Sequence, residues 1–69
     1  MKYIEIKKCK NCSEGLKKLY MDGKLILQGD HYHDKIDNVI RGYFTALNEL
    51  NVEFSLKEGE TYECHYNCY

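Results

Sequence analysis

Four cysteines occur as two short pairs near the two ends of the chain, Cys9-x2-Cys12 and Cys64-x3-Cys68. Thiolates at such spacings can bind one ion together, and two pairs complete the tetrahedral four-sulfur shell that zinc prefers. Residues 13–63 separate the pairs, so a shared ion would join the two ends of the chain. We therefore expect Cys9, Cys12, Cys64 and Cys68 to hold one structural zinc ion.

Two disulfide bonds are the alternative for the same four thiols. The first residues alternate charged and apolar side chains, unlike a secretory leader, and no apolar run approaches the roughly 20 residues of a membrane span. We therefore expect a cytoplasmic protein without a membrane segment, in which thiols stay reduced and favour metal. A leader removed from the chain would reverse this expectation, because an oxidising compartment favours disulfides.

Motifs for catalysis are missing from the sequence. It contains no Gly-rich phosphate loop and no His-Glu-x-x-His, and neither Ser13 nor Ser55 lies in a nucleophile elbow. Four thiolates would also close the zinc shell, which leaves Glu63 no metal-bound water to activate. The sequence predicts a non-enzymatic protein.

A polar stripe runs along the predicted helix, where His33, Asp37 and Arg41 follow one another at steps of four residues. The simpler interpretation is helix capping together with an exposed Asp37–Arg41 ion pair, which contributes little to stability. The functional interpretation is a recognition surface for a partner, or a site for a small anionic, nucleotide-like ligand at an interface between protomers. The sequence leaves both interpretations open.

Seven tyrosines are more than one helix face needs, and Tyr62 and Tyr66 lie close together near the end of the chain. Tyrosines anchor protein interfaces, and they also stack on nucleic-acid bases. The acidic residues around this pair, among them Glu60 and Glu63, favour the protein interface. We therefore expect Tyr62 and Tyr66 to bind a protein partner, which includes a second copy of the chain.

The charges nearly balance, with ten basic and eleven acidic residues and a net charge of −1. A strongly phosphate-binding protein would be more basic. The exception is the N-terminal third, whose lysine excess makes a nucleic-acid-binding domain the alternative; the residues concerned are Lys7, Lys8, Lys10, Lys17 and Lys18.

Hydrophobic alternation predicts a strand over residues 2–8, followed by a hairpin of residues 17–21 and 24–28. Asp22-Gly23 lies between the hairpin strands and favours a type I′ turn. From Asp30 the apolar residues recur at three and four residue steps, which predicts a helix with Asp30 as its N-cap and Asn51 as its stop.

A second hairpin is expected after the helix, with its turn at Glu58-Gly59 and its last strand over residues 61–66. The predicted order is β-β-β-α-β-β in one domain, residues 1–69. The fold class is α+β: an antiparallel sheet, made of two hairpins and the N-terminal strand, packs against one amphipathic helix and is stapled by zinc.

The two cysteine pairs resemble those of zinc-knuckle proteins, and the size and composition are similar to those of short accessory proteins of phages and mobile elements. Neither resemblance implies a specific activity. The sequence as a whole favours a small zinc-binding adaptor or regulator, encoded by a phage or mobile element and directed at a host protein. The alternatives are a nucleic-acid-binding zinc knuckle and a binder of a nucleotide-like ligand between protomers.

Overall fold

One helix packs against a mixed four-stranded sheet in the computed structural model, which describes residues 1–11 and 15–63. The elements in chain order are β1 Lys2–Cys9, β2 Lys17–Met21, β3 Lys24–Gly29, α1 Ile36–Glu49 and β4 Phe54–Tyr62. The strand order in the sheet is β3-β2-β1-β4. The α+β class is confirmed, but β4 runs parallel to β1, so the prediction of an all-antiparallel sheet was wrong.

The first hairpin is confirmed, because β2 and β3 pair antiparallel around Asp22 and Gly23. Both turn residues have positive φ, 51° and 84°, as a type I′ turn requires. Asp22 also joins the turn to β1: the Tyr3 N–H donates to Asp22 Oδ1 at 2.9 Å, and the Asp22 N–H donates to the Tyr3 carbonyl at 2.8 Å. The first of these bonds lowers the pKa of the Asp22 carboxyl.

The prediction of a second hairpin was wrong, because one continuous strand, β4, runs through the residues expected to form its turn. Its pairing with β1 slips by one residue at Glu58 and Gly59, which together lie opposite Ile6. Gly59 has φ 99°, and such a residue serves a β-bulge as readily as a turn. The described elements therefore follow the order β-β-β-α-β, and the second half of the predicted last strand, residues 64–66, lies outside the described residues.

The helix begins at Ile36, later than the predicted start at Asp30. Asp30 does act as a cap, since its Oδ1 accepts the N–H groups of His33 at 2.7 Å and Asp34 at 2.9 Å. Those bonds close a turn ahead of the helix rather than the first helical turn. Lys35, with φ 49°, separates this turn from α1.

Replacement of Gly29 by alanine is expected to lower the free energy of unfolding by about 1–3 kcal/mol. A Cβ at Gly29 would lie 2.7 Å from the Cβ of Asp34, whose carboxylate accepts the Asp30 N–H. Urea unfolding checks the result. Gly42→Ala is the matched control: nothing lies within 4 Å of the added Cβ, and alanine should stabilise this helix position by about 0.5–1 kcal/mol. Equal effects of the two substitutions would contradict the crowding at Gly29.

The predicted helix stop is confirmed. Asn51 adopts φ 55°, its N–H donates to the Asn48 carbonyl at 3.1 Å, and the Val52 N–H donates to the Leu47 carbonyl at 2.9 Å. These two bonds satisfy carbonyls that the last helical turn leaves without partners.

The core lies between α1 and one face of the sheet, and its fully enclosed members are Ile4, Leu19, Ile36, Ile40 and Leu47. Around them pack half-buried residues, including the stacked rings of Phe44 and Phe54. Among the described residues there is one helix, so the second face of the sheet has no helix against it. In the same part of the chain, no helix has the length and apolar character needed to cross a membrane.

Candidate functional site

The second face of the sheet carries tyrosines and charged residues. Along β1, Tyr3, Glu5 and Lys7 alternate with the core residues Ile4 and Ile6. The strand pairing then places neighbours from β2 and β4 on the same face. We call this surface the open sheet face and define it by Tyr3, Lys7, Lys18, Tyr20, Glu60 and Tyr62.

Two lysine ammonium groups lie over tyrosine rings on the open sheet face. Lys7 Nζ is 5.2 Å from the centre of the Tyr20 ring, and Lys18 Nζ is 4.6 Å from the centre of the Tyr62 ring. The first contact joins the neighbouring strands β1 and β2, and the second joins β2 to β4 across β1. Each contributes on the order of 0.5–1 kcal/mol at an exposed site. The lysines therefore hold these two rings in fixed positions across the sheet.

Glu60 partly neutralises this surface. Its carboxylate lies 2.6 Å from Lys57 Nζ and 3.9 Å from Lys7 Nζ. The hydrogen bond with Lys57 lowers the pKa of Glu60 and raises that of Lys57. Lys18 forms no ion pair with any residue in ranges 1–11 and 15–63, so its ammonium is the uncompensated cation of the open sheet face.

The lysines singled out in the sequence come together at one end of β1 and β2. Lys7 pairs across the strands with Lys18, and Lys8 with Lys17. Like charges directly opposite one another destabilise a sheet. Acidic residues offset part of the repulsion: Glu63 lies 3.0 Å from Lys10 and Glu60 lies 3.9 Å from Lys7, while Asp37 accepts a hydrogen bond from Lys17.

Asp37 forms a different contact from the one the sequence suggested. Its Oδ1 accepts from Lys17 Nζ at 2.5 Å, and its Oδ2 lies 3.2 Å from His31 Nδ1. The hydrogen bond from Lys17 lowers the pKa of the Asp37 carboxyl. The Asp37–Arg41 ion pair suggested by the sequence does not form. Lys17 on β2 lies beside the start of α1 and bonds to Asp37 instead.

Replacement of Asp37 by asparagine is expected to remove stability that depends on pH. The folded pKa of Asp37 lies below its unfolded value, so its contribution is present above about pH 4 and is lost as the pH falls through the folded pKa. Because the side chain is 43% exposed, we expect a loss of only about 0.5 kcal/mol at pH 7, which shrinks as the pH falls through the folded pKa. Urea unfolding at pH 7 and at successively lower pH values tests this, with the exposed Glu53→Gln as control; a loss that persists undiminished in acid would contradict it.

The polar stripe of the predicted helix does not form a cluster. Arg41 is exposed, and His33 precedes α1. No hydrogen bond or ion pair within the described ranges joins Asp37 to Arg41 or to His33. Of the three predicted ligand-binding residues, only Asp37 has a side chain that bonds to other charged side chains in the described ranges.

Cys9 is buried at the end of β1, and its Sγ donates to Asn11 Oδ1 at 2.8 Å. The register places Cys9 beside Tyr62 on the neighbouring strand. Cys12, Cys64, Cys68 and Tyr66 lie outside the described residues. Within residues 1–11 and 15–63, no three or more His, Cys, Asp or Glu side chains are grouped so that they could hold a metal ion.

Two members of the open sheet face, Lys18 and Tyr20, were missed as a functional pair in the sequence. Their alternation with the core residue Leu19 was the available signal. The contact of Lys18 with Tyr62 depends on β4 lying beside β1, which no local pattern indicates.

Comparisons with protein families, with curated proteins and with solved structures find no match for this chain. The functional assignment therefore rests on the chemistry of its side chains.

Proposed function

We propose that the chain is a non-enzymatic domain that binds another protein through the open sheet face. The observation that carries this proposal is the placement of Tyr3, Tyr20 and Tyr62 on the side of the sheet away from α1. Tyr3 remains 42% exposed, and the other two rings are half-buried. Rigid aromatic side chains beside a cation are typical anchors of protein interfaces.

The lysine contacts favour a protein over a nucleic acid. A base that stacks on Tyr20 or Tyr62 would have to displace the ammonium that already lies over the ring. Glu60 would also repel a phosphate backbone. A protein can instead contact the ring edges and hydroxyl groups while the lysines stay in place.

The partner that fits this surface has a carboxylate close to an apolar side chain. Lys18 supplies a cation without an acidic partner in the described chain, and Tyr3 and Leu25 supply exposed apolar surface at 42% and 40% exposure. The role of the complex would be that of an adaptor or regulator. A phage origin and a host target stay predictions from size and composition.

Lys18→Glu is expected to weaken partner binding at least tenfold, because it reverses the uncompensated cation. The partner is first captured from cell extract with the tagged wild-type chain, then purified and titrated against each variant. Tyr32→Ser is the matched control, since Tyr32 is 64% exposed and its ring contacts His31, which lies beside the helix residue Asp37. Loss of binding with Tyr32→Ser but not with Lys18→Glu would assign the interface to the helix side.

A nucleic-acid-binding domain is the second candidate, and the cross-strand pairs Lys7–Lys18 and Lys8–Lys17 favour it. An anionic strand across this end of the sheet would relieve the repulsion between the lysines. Fluorescence anisotropy with single-stranded oligonucleotides tests this. Binding that falls steeply with salt and is lost with Lys8→Ala and Lys18→Ala together would favour this candidate over the protein partner.

We also propose that one zinc ion binds at the end of the sheet where Cys9 lies. Cys9 and Tyr62 are strand neighbours, about 5 Å apart between Cα atoms. Cys64 follows Tyr62 by two residues, a reach of at most about 7 Å, and Cys12 follows Cys9 by three, at most about 11 Å. The parallel pairing of β1 and β4 thus supports one shared ion for both cysteine pairs. The nucleotide-like ligand at His33, Asp37 and Arg41 gains no support from the contacts of these residues.

A further inference from the structure

A groove of about 250 Å³ lies between α1 and the second half of β4, on the side of the sheet opposite the open sheet face. At the start of β4 the Phe54 ring stacks on Phe44 at 5.4 Å and fills the space beneath the helix. From the bulge onward, the lining from β4 includes the small residues Gly59 and Thr61, which leave the space open. The groove therefore results from the sizes of the side chains along one strand.

The groove combines an apolar floor with charged residues. The half-buried Ile6 and the buried Ile40 form the floor, while Lys8 and Glu58 lie among the charged lining residues. Neither Lys8 nor Glu58 forms an ion pair with another residue of the described ranges, and both are exposed. Thr61 lies beside Lys8, because the two residues are partners across β1 and β4.

The remaining charged residues of the lining already have partners. Lys17 is bonded to Asp37 at 2.5 Å, and Glu60 is bonded to Lys57 at 2.6 Å. The charge available to a ligand is thus one ammonium and one carboxylate over an apolar floor. An anion such as a nucleotide would be attracted by Lys8 but repelled by Glu58, whereas a zwitterion satisfies both.

We propose that this groove binds a free α-amino acid with an aliphatic side chain, such as leucine. The ligand carboxylate contacts the Lys8 ammonium and accepts from the Thr61 hydroxyl, and the ligand ammonium contacts Glu58. The aliphatic side chain lies on Ile6 and Ile40. The volume, below the roughly 300–1,000 Å³ of sites for drug-sized ligands, suits a molecule of this size.

This site goes beyond the proposed protein interface. Its apolar residues lie on the other side of the sheet, and of the residues that define the open sheet face only Glu60, bonded to Lys57, also lines the groove. The test is an NMR titration of amide signals in the ¹⁵N-labelled full chain with three matched probes. Leucine carries both charged groups, 4-methylpentanoate lacks the amine, and 3-methylbutylamine lacks the carboxylate. We expect saturable shifts at Ile6, Gly59 and Thr61 with leucine, and about tenfold weaker binding of each probe that lacks one group.

Two substitutions identify the contacts. Glu58→Gln is expected to weaken the binding of leucine about tenfold and to leave the binding of 4-methylpentanoate unchanged. Lys8→Gln should weaken the binding of leucine and leave that of 3-methylbutylamine unchanged. Glu53→Gln and Lys24→Gln, which change exposed charges outside the groove, should leave all three probes unaffected. The same spectra show whether each variant is folded.

Absence of saturable shifts up to about 50 mM leucine, a concentration that would saturate even a millimolar site, would overturn the proposal. Equal effects of the two groove substitutions and the two control substitutions on leucine binding would also overturn the proposal. Tighter binding of a leucine-containing peptide than of leucine itself would overturn the assignment to a free amino acid and make the groove a peptide site.

Discussion

Protein purified without chelator is expected to contain one zinc ion per chain and to unfold when the zinc is removed. Structural zinc in small domains contributes on the order of 10–16 kcal/mol at neutral pH, more than the whole stability of most domains of this size. The enclosed core of the described chain is small, with Ile4, Leu19, Ile36, Ile40 and Leu47 as its buried aliphatic members. A chain of 69 residues with such a core is expected to need a cross-link.

Native mass spectrometry counts the zinc, and circular dichroism with and without EDTA reports the fold. Serine substitutions of Cys9, Cys12, Cys64 and Cys68 should each lower the midpoint of thermal unfolding strongly in zinc and have little further effect in EDTA. That double comparison separates loss of metal from loss of a buried thiol at Cys9. A metal-free mass about four hydrogens low, with stability insensitive to EDTA, would replace the zinc by two disulfide bonds.

Replacement of Ile4 by alanine is expected to lower the free energy of unfolding by about 2–5 kcal/mol. Ile4 is fully buried in β1, the strand that pairs with both β2 and β4, and its side chain packs under α1. The backbone there is paired on both sides, so the sheet has little freedom to collapse into the cavity. For a domain of this size, each kcal/mol shifts the midpoint of thermal unfolding by about 4–8 °C, so we expect a drop of at least about 10 °C.

Thermal and urea unfolding of the zinc-loaded protein measure this effect. Ile4→Val, which removes one methylene group, should cost about 0.5–1.5 kcal/mol. Ile26→Ala is the matched control, because Ile26 lies on the edge strand β3 and is 38% exposed. A loss at Ile26 as large as that at Ile4 would mean that the edge of β3 is covered by a partner or a second copy of the chain.

Some features of the candidate site were predicted from the sequence and others were not. The lysines at positions 7, 8, 17 and 18 stood out in the sequence, and the structure brings them opposite one another. Tyr62 was predicted as a binding residue, but its contact with Lys18 joins β4 to β2 across β1. The groove beneath α1 was not predicted, because it depends on which side chains of β4 face the helix.

The sequence by itself determined the elements whose signals are local. Asp22-Gly23 sets a turn because two adjacent residues accept positive φ, and Asn51 ends the helix for the same reason. The tertiary structure alone decided that Gly59 forms a bulge, that β4 runs parallel to β1, and that Asp37 bonds to Lys17 rather than Arg41. A glycine permits positive φ in a turn and in a bulge alike, and a carboxylate accepts from whichever cation lies near. The choice therefore rests on contacts between residues distant in the chain, which form only when α1 packs on the sheet.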